Sequence, residues 1–337
     1  MHPALLRPPV LRRSLAPLSV DVGGRLAAVG ARALSGMGPL LALADPAGRL
    51  SPESAHLCAA LSLLATEAAR GLGGAEDARV GQAAAMLALL TKLDDQHIDS
   101  PAFHASLPRA HLARETAAYL APTLASIRSG RPESEEPRCL LAAALGAVLA
   151  ELATLDGGAR REGLLRLIAS GWATQVEAVT TFTAHPSQVS DSVVARVTGE
   201  ISARWLRMIT AVGTLAPGAR ALTADEVEAF SGWGAWIQRA DALADLEKDS
   251  LDLHLSTVIG RMAYLAHGER WVEAVRGGDR AGVRRQVGAL DLSALRPAEA
   301  ELDRLEARLA SLGEVGPILR WIHGFLLSRD GGPCSAP

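Results

Sequence analysis

Residues 83–100 read AAAMLALLTKLDDQHIDS, a run of helix formers from Ala83 to Leu90 that turns abruptly into Lys92, Asp94, Asp95 and Asp99. A helix apolar all round belongs inside a protein rather than on its surface. The charges therefore stand at the C-terminal end of a buried element. Acids there oppose the helix macrodipole at about 0.3–1 kcal/mol each, so something must hold them. A bound cation would do so.

The same helix-forming composition extends along the chain. Ala, Leu, Arg and Glu dominate, and alternating β-branched patterns are scarce. Pro and Gly punctuation divides the sequence into helices expected near 22–43, 53–72, 77–99, 109–128, 138–156, 160–183, 188–214, 224–250, 252–266, 268–288 and 296–328, the last broken at Gly313 or Pro317. No strand is expected, and no period of 30–50 residues marks a solenoid. The predicted architecture is all-α: one helical bundle over residues 21–330, between a flexible segment 1–20 and a flexible tail 331–337.

With 337 residues, 49% of them hydrophobic, the chain can bury a large core. Its formal net charge of -3 supplies no basic field, which disfavours nucleic acid as a partner. Cys58, Cys139 and Cys334 are odd in number and form no Cys-x-x-Cys pair, which argues against a disulfide framework or a zinc site. The most apolar stretches, 33–44 and 140–150, fall short of the roughly 20 residues of a membrane span. Prolines 3, 8, 9 and 17 interrupt any signal-peptide core near the start. The expected location is the cytoplasm.

A second acidic cluster lies in GWGAWIQRADALADLEKDSLD, residues 232–252, where Asp241, Asp245 and Asp249 are spaced i, i+4, i+8. On one continuous helix they fall within about 80° of a face, with roughly 6 Å of rise per step. Like charges at this spacing repel, so a stripe of three asks for a counter-ion. Mg²⁺ takes hard oxygen ligands and commonly binds through one or two carboxylates plus substrate phosphates. Two facing acidic helices could thus hold several Mg²⁺ ions bridged by a diphosphate, easing cleavage of a carbon–oxygen bond. Arg outnumbers Lys 32 to 2, and the two lysines, Lys92 and Lys248, each abut an acidic cluster. Both are candidate diphosphate ligands, together with Arg196 and Arg239.

At these residues the sequence resembles the class I isoprenoid synthases, in particular the squalene and phytoene synthase branch and the large-terpene cyclases typified by tetraprenyl-β-curcumene synthase. Gly234, Gln238, Asp241, Asp245 and Asp249 match the second acidic motif of the first group, and Trp236 with Asp241, Asp245, Glu247 and Asp249 echoes that of the second. Asp95-x-x-x-Asp99, preceded by Asp94, resembles the aspartate-rich first motif. The segment VTGEISARWLRMITAVG, 197–213, is similar to the Gly-containing helix lining the cavity of these enzymes.

The resemblance implies a helical bundle around an apolar cavity. Asp95, Asp99, Asp241, Asp245 and Asp249 would ligate several Mg²⁺ ions, with Asp94 as a further ligand or base. The substrate would be a prenyl diphosphate of C15 or longer, ionised to a terpene product. Such an enzyme would be a monomer or homodimer, with room for peripheral membrane contact to deliver an apolar product. Head-to-head condensation in the manner of squalene or phytoene synthases is the alternative within the class. The tyrosine of that branch cannot be placed on Tyr119 or Tyr264, which turns the expectation toward a single-substrate synthase. A non-catalytic helical binding protein of the same fold is the alternative from another class, and sparse aromatic residues, 4% of the chain, favour it. For each acidic cluster alone, a solvated helix end or a face paired with arginines is the plain alternative.

Overall fold

The computed structural model describes residues 52–98, 100, 103, 111–155, 158–245 and 254–328. Among them are twelve α-helices and no strand. In chain order these are α1 (Pro52–Gly71), α2 (Ala78–Ile98), α3 (Leu112–Ser129), α4 (Pro137–Leu152), α5 (Ala159–Phe182), α6 (Asp191–Gly213), α7 (Ala224–Ala244), α8 (Val258–His267), α9 (Glu269–Arg276), α10 (Arg280–Gly288), α11 (Glu299–Arg308) and α12 (Val315–Ser328). The all-α expectation holds. The helix expected at 22–43 and the two flexible ends lie outside the described residues.

Sequence punctuation explains most boundaries. The Thr223 side chain accepts from the Glu226 N–H while the Glu226 carboxylate accepts from the Thr223 N–H, a reciprocal cap that starts α7. Ser190, Thr257 and Asp279 cap α6, α8 and α10 in the simpler way. Pro137 opens α4 at a position where its missing N–H costs nothing.

Three boundaries differ most from expectation, and the first is the helix expected from 252, which begins at Val258 behind its Thr257 cap. The segment 268–288 is two helices, divided at Gly277 and Gly278, the latter at φ 65°. Glycine adopts that left-handed conformation without the Cβ penalty, and Asp279 then restarts the helix. Helix α7 ends at Ala244, with Asp245 as its C-cap rather than a mid-helix residue. On this helix the expected stripe comprises Asp241 and the C-cap Asp245, and Asp249 lies outside the described residues. Asp is a poor helix former, and carboxylates one turn apart at a negative helix end weaken the last turn further.

Helices α1 and α2 pack on each other inside the bundle, and the side chains of Ala83 to Leu90 are all buried. Helix α6 packs on α5, α7 and α1, α4 on α2, and α12 on α7. The α6–α7 contact is very close: a Cβ at Gly234 would lie 2.3 Å from the Ala203 backbone. Two hydrophobic clusters result. The larger draws on α1–α7, α11 and α12, and a smaller one joins Leu243 to α8, α9 and α10 around Trp271. Leu327 packs against both.

Candidate functional site

A pocket enclosing about 200 Å³ opens between α1, α2, α5, α6, α7 and α12. Its walls are apolar where Leu61, Ala88, Trp205, Met208, Ile322 and Leu326 meet. Polar residues border it along two sides. From α2 come Lys92, Asp94 and Asp95, and from α7 come Gln238, Asp241 and Asp245, the last at its C-cap. The two acidic clusters, about 145 residues apart in sequence, thus border one pocket.

The α2 side is built by its neighbours. Asp94 is 3% exposed, and its Oδ2 accepts from the Trp172 indole N–H at 3.2 Å. Its Oδ1 has the Arg138 guanidinium at 4.0 Å, and the Tyr119 side chain also bears on the carboxyl. Burial pushes the Asp94 carboxyl up to about 7, against the opposing pull of Arg138 and Trp172. Burial outweighs the ion pair because Arg138 is committed elsewhere, donating to Glu136 at 2.6 Å and to the Tyr119 carbonyl at 2.5 Å. That guanidinium also lies 3.6 Å from the centre of the Tyr119 ring, which stacks on His97 at 4.1 Å. Asp95 accepts from Lys92 at 3.3 Å and from the Gln175 amide at 3.0 Å.

On the α7 side, Gln238 Oε1 accepts from the Ser202 hydroxyl at 2.5 Å, tying α7 to α6 beside the pocket. Asp245 closes the helix through its N–H to the Asp241 carbonyl at 2.8 Å. Cys58 also lines the pocket, its thiol pushed up to about 12 by burial.

Lys92, Asp94, Asp95, Asp241 and Asp245 thus come together at one pocket, whereas Arg196 and Arg239 do not line it. Arg196 is engaged with Glu177 and Glu200, and Arg239 lies over the Trp236 ring at 4.2 Å. Asp99, Lys248 and Asp249 lie outside the described residues. Among the tryptophans of the central motifs, Trp172 and Trp205 line the pocket, while Trp233 is core and Trp236 donates to Glu301. Gln175 and His254 also line it and Arg138 stands behind Asp94, although no spacing in the sequence marks any of the three. Among the described residues no three acidic, histidine or cysteine side chains gather as a metal cluster.

Among the described residues no helix is long and apolar enough to cross a membrane. No protein-family model, curated protein or solved structure matches this chain.

Proposed function

We propose that the chain is a Mg²⁺-dependent class I terpene synthase of the isoprenoid synthase type, ionising a single prenyl diphosphate and releasing pyrophosphate. One observation carries this reading: carboxylates from two distant helices border a pocket whose walls are apolar. The donor set fits the metal. The carboxylate oxygens of Asp95, Asp241 and Asp245 are hard ligands, and all three border the one pocket. Asp95, Asp241 and Asp245 would hold Mg²⁺, with Asp99 and Asp249 as the further expected ligands. Bound Mg²⁺ would supply Lewis-acid neutralisation of the leaving pyrophosphate.

The chain's own residues do the remaining work. Lys92, beside Asp95, offers ammonium donors to phosphate oxygens. The carbon–oxygen bond breaks with both electrons leaving on pyrophosphate, and the allylic cation is left against apolar walls that keep water from capturing it. Trp172 and Trp205, both on the pocket wall, would offer π density to the positive charge. Transfer of a proton from the adjacent carbon to the released pyrophosphate then leaves a neutral alkene.

The test is pyrophosphate release from geranyl, farnesyl and geranylgeranyl diphosphates with Mg²⁺ or with chelator, followed by organic extraction. Asp95→Asn and Asp241→Asn are each expected to lower release by about 10²–10³ with the thermal midpoint retained. Release that persists with chelator, or in both variants, refutes the proposal.

A further inference from the structure

The pocket's size and floor bear on which prenyl chain it accepts. Along α6 the lining residues Ser202, Trp205 and Met208 succeed one another at three-residue intervals, so Met208 lies about 9 Å from Ser202 along the helix axis. Ser202 holds Gln238 beside the acidic side of the pocket, which places Met208 toward the apolar end. On α5, Gln175 reaches Asp95 and Gly171 follows one turn away, in the direction of Met208. A Cβ built on Gly171 would sit 2.8 Å from the Met208 sulfur and 2.9 Å from its methyl carbon. The thioether therefore rests against bare backbone, occupying the space that a side chain at 171 would claim. Met208 itself is 3% exposed, with Trp205 beside it on the pocket wall.

The enclosed volume is about 200 Å³. A cavity of about 150 Å³ holds one benzene, roughly 25 Å³ per carbon. On that scale the pocket encloses about eight carbons. A C10 chain lies within it with about two carbons at the polar mouth, and a C15 chain reaches Met208 only with about seven carbons at that mouth.

Resting on the prenyl-diphosphate reading above, we propose that the site takes one short prenyl chain, C10 to C15, and that Met208 seated on Gly171 is the stop that excludes C20 and longer chains. The two residues act in opposite directions. Shortening Met208 opens the floor, whereas a methyl at position 171 drives the flexible thioether out of its seat and toward the lumen.

The test uses geraniol, farnesol and geranylgeraniol, which carry the tail without the diphosphate and need no metal, with thermal stabilisation of the intact chain as readout. Wild type is expected to bind geraniol and farnesol and to bind geranylgeraniol at least about tenfold more weakly, since even one methylene too many in a fixed apolar pocket costs about that factor. Met208→Ala brings geranylgeraniol level with farnesol, and Gly171→Ala weakens farnesol relative to geraniol. The second variant keeps the test open if the first fails to fold. Equal binding of geranylgeraniol and farnesol by wild type overturns the proposal, as does an unchanged ranking in both folded variants or the absence of binding by any alcohol. Alcohol ranking as expected without Mg²⁺-dependent pyrophosphate release refutes the ionisation reading and leaves the chain-length stop standing.

Discussion

The two acidic sides of the pocket are constructed differently. On α2, Asp94 and Asp95 receive partners from α4, α5 and their own helix, and Asp94 is fully enclosed. On α7, Asp241 and Asp245 lie at the helix end, half-buried, and the α7 side is braced against α6 by the Gln238–Ser202 bond and the Gly234 contact. One side is a carboxylate pair set into a polar scaffold. The other stands at the end of a helix that approaches its neighbour α6 very closely. Hydrogen bonds from neighbouring helices hold the first side, and close packing on α6 holds the helix that carries the second.

The comparison breaks most severely at Gly234. Gly234→Val puts a branched side chain where a Cβ alone would stand 2.3 Å from the Ala203 backbone, and backbone cannot yield as a flexible side chain does. Chemical denaturation is expected to show a loss of at least about 3 kcal/mol or no cooperative transition at all. Stability within about 1 kcal/mol of wild type would mean that the α7 side is not packing-controlled.

The α2 side is sharpened by Asp94→Asn, measured without metal as a function of pH. The folded carboxyl titrates near 7, above its ordinary value of 3.8, so the native state holds a proton that the unfolded chain releases. Wild-type stability from this group is then present below about pH 4 and is lost as pH rises toward 7. The amide keeps an acceptor for the Trp172 N–H and escapes that loss. The variant should match wild type near pH 4 and exceed it at pH 8 by on the order of 1–3 kcal/mol. A penalty at pH 8 would show instead that the Arg138 ion pair outweighs burial.

A smaller effect is expected at Ser202. Ser202→Ala removes the hydroxyl that holds Gln238 and should cost about 1 kcal/mol. Because Gln238 borders the α7 acids, the variant should also raise the diphosphate concentration needed for half-maximal pyrophosphate release. An unaltered requirement would detach the α6–α7 brace from the site.

Local signals make much of the fold legible: helix-forming runs, prolines at first turns, and Ser, Thr and Asp caps. The Gly277-Gly278-Asp279 break is visible as letters, yet the surrounding composition is helical enough to read through it. The α7 terminus is harder, because an i, i+4, i+8 pattern describes spacing and says nothing of whether the last turn is stable. For the site, the acidic pairs and Lys92 stand out as misplaced charges at helix ends. Gln175 and Arg138 carry no such mark. Their roles come from α4 and α5 lying beside α2, a long-range pairing that no local pattern encodes. Arg196 and Arg239 are near the motifs in sequence, but both turn toward partners away from the pocket.

Lysine scarcity has a practical corollary at the pocket. With Lys92 and Lys248 as the whole lysine complement, side-chain amine chemistry on this protein is confined to two positions. Lys92 is one-third exposed and borders the pocket, so an acylating reagent can reach it from solvent while a molecule held at the acidic mouth would stand in the way. The rate at which that one amine is acylated, read by mass spectrometry, becomes a built-in gauge of occupancy. It needs neither a label nor an engineered residue, and it reports equally on substrates, products and inhibitors.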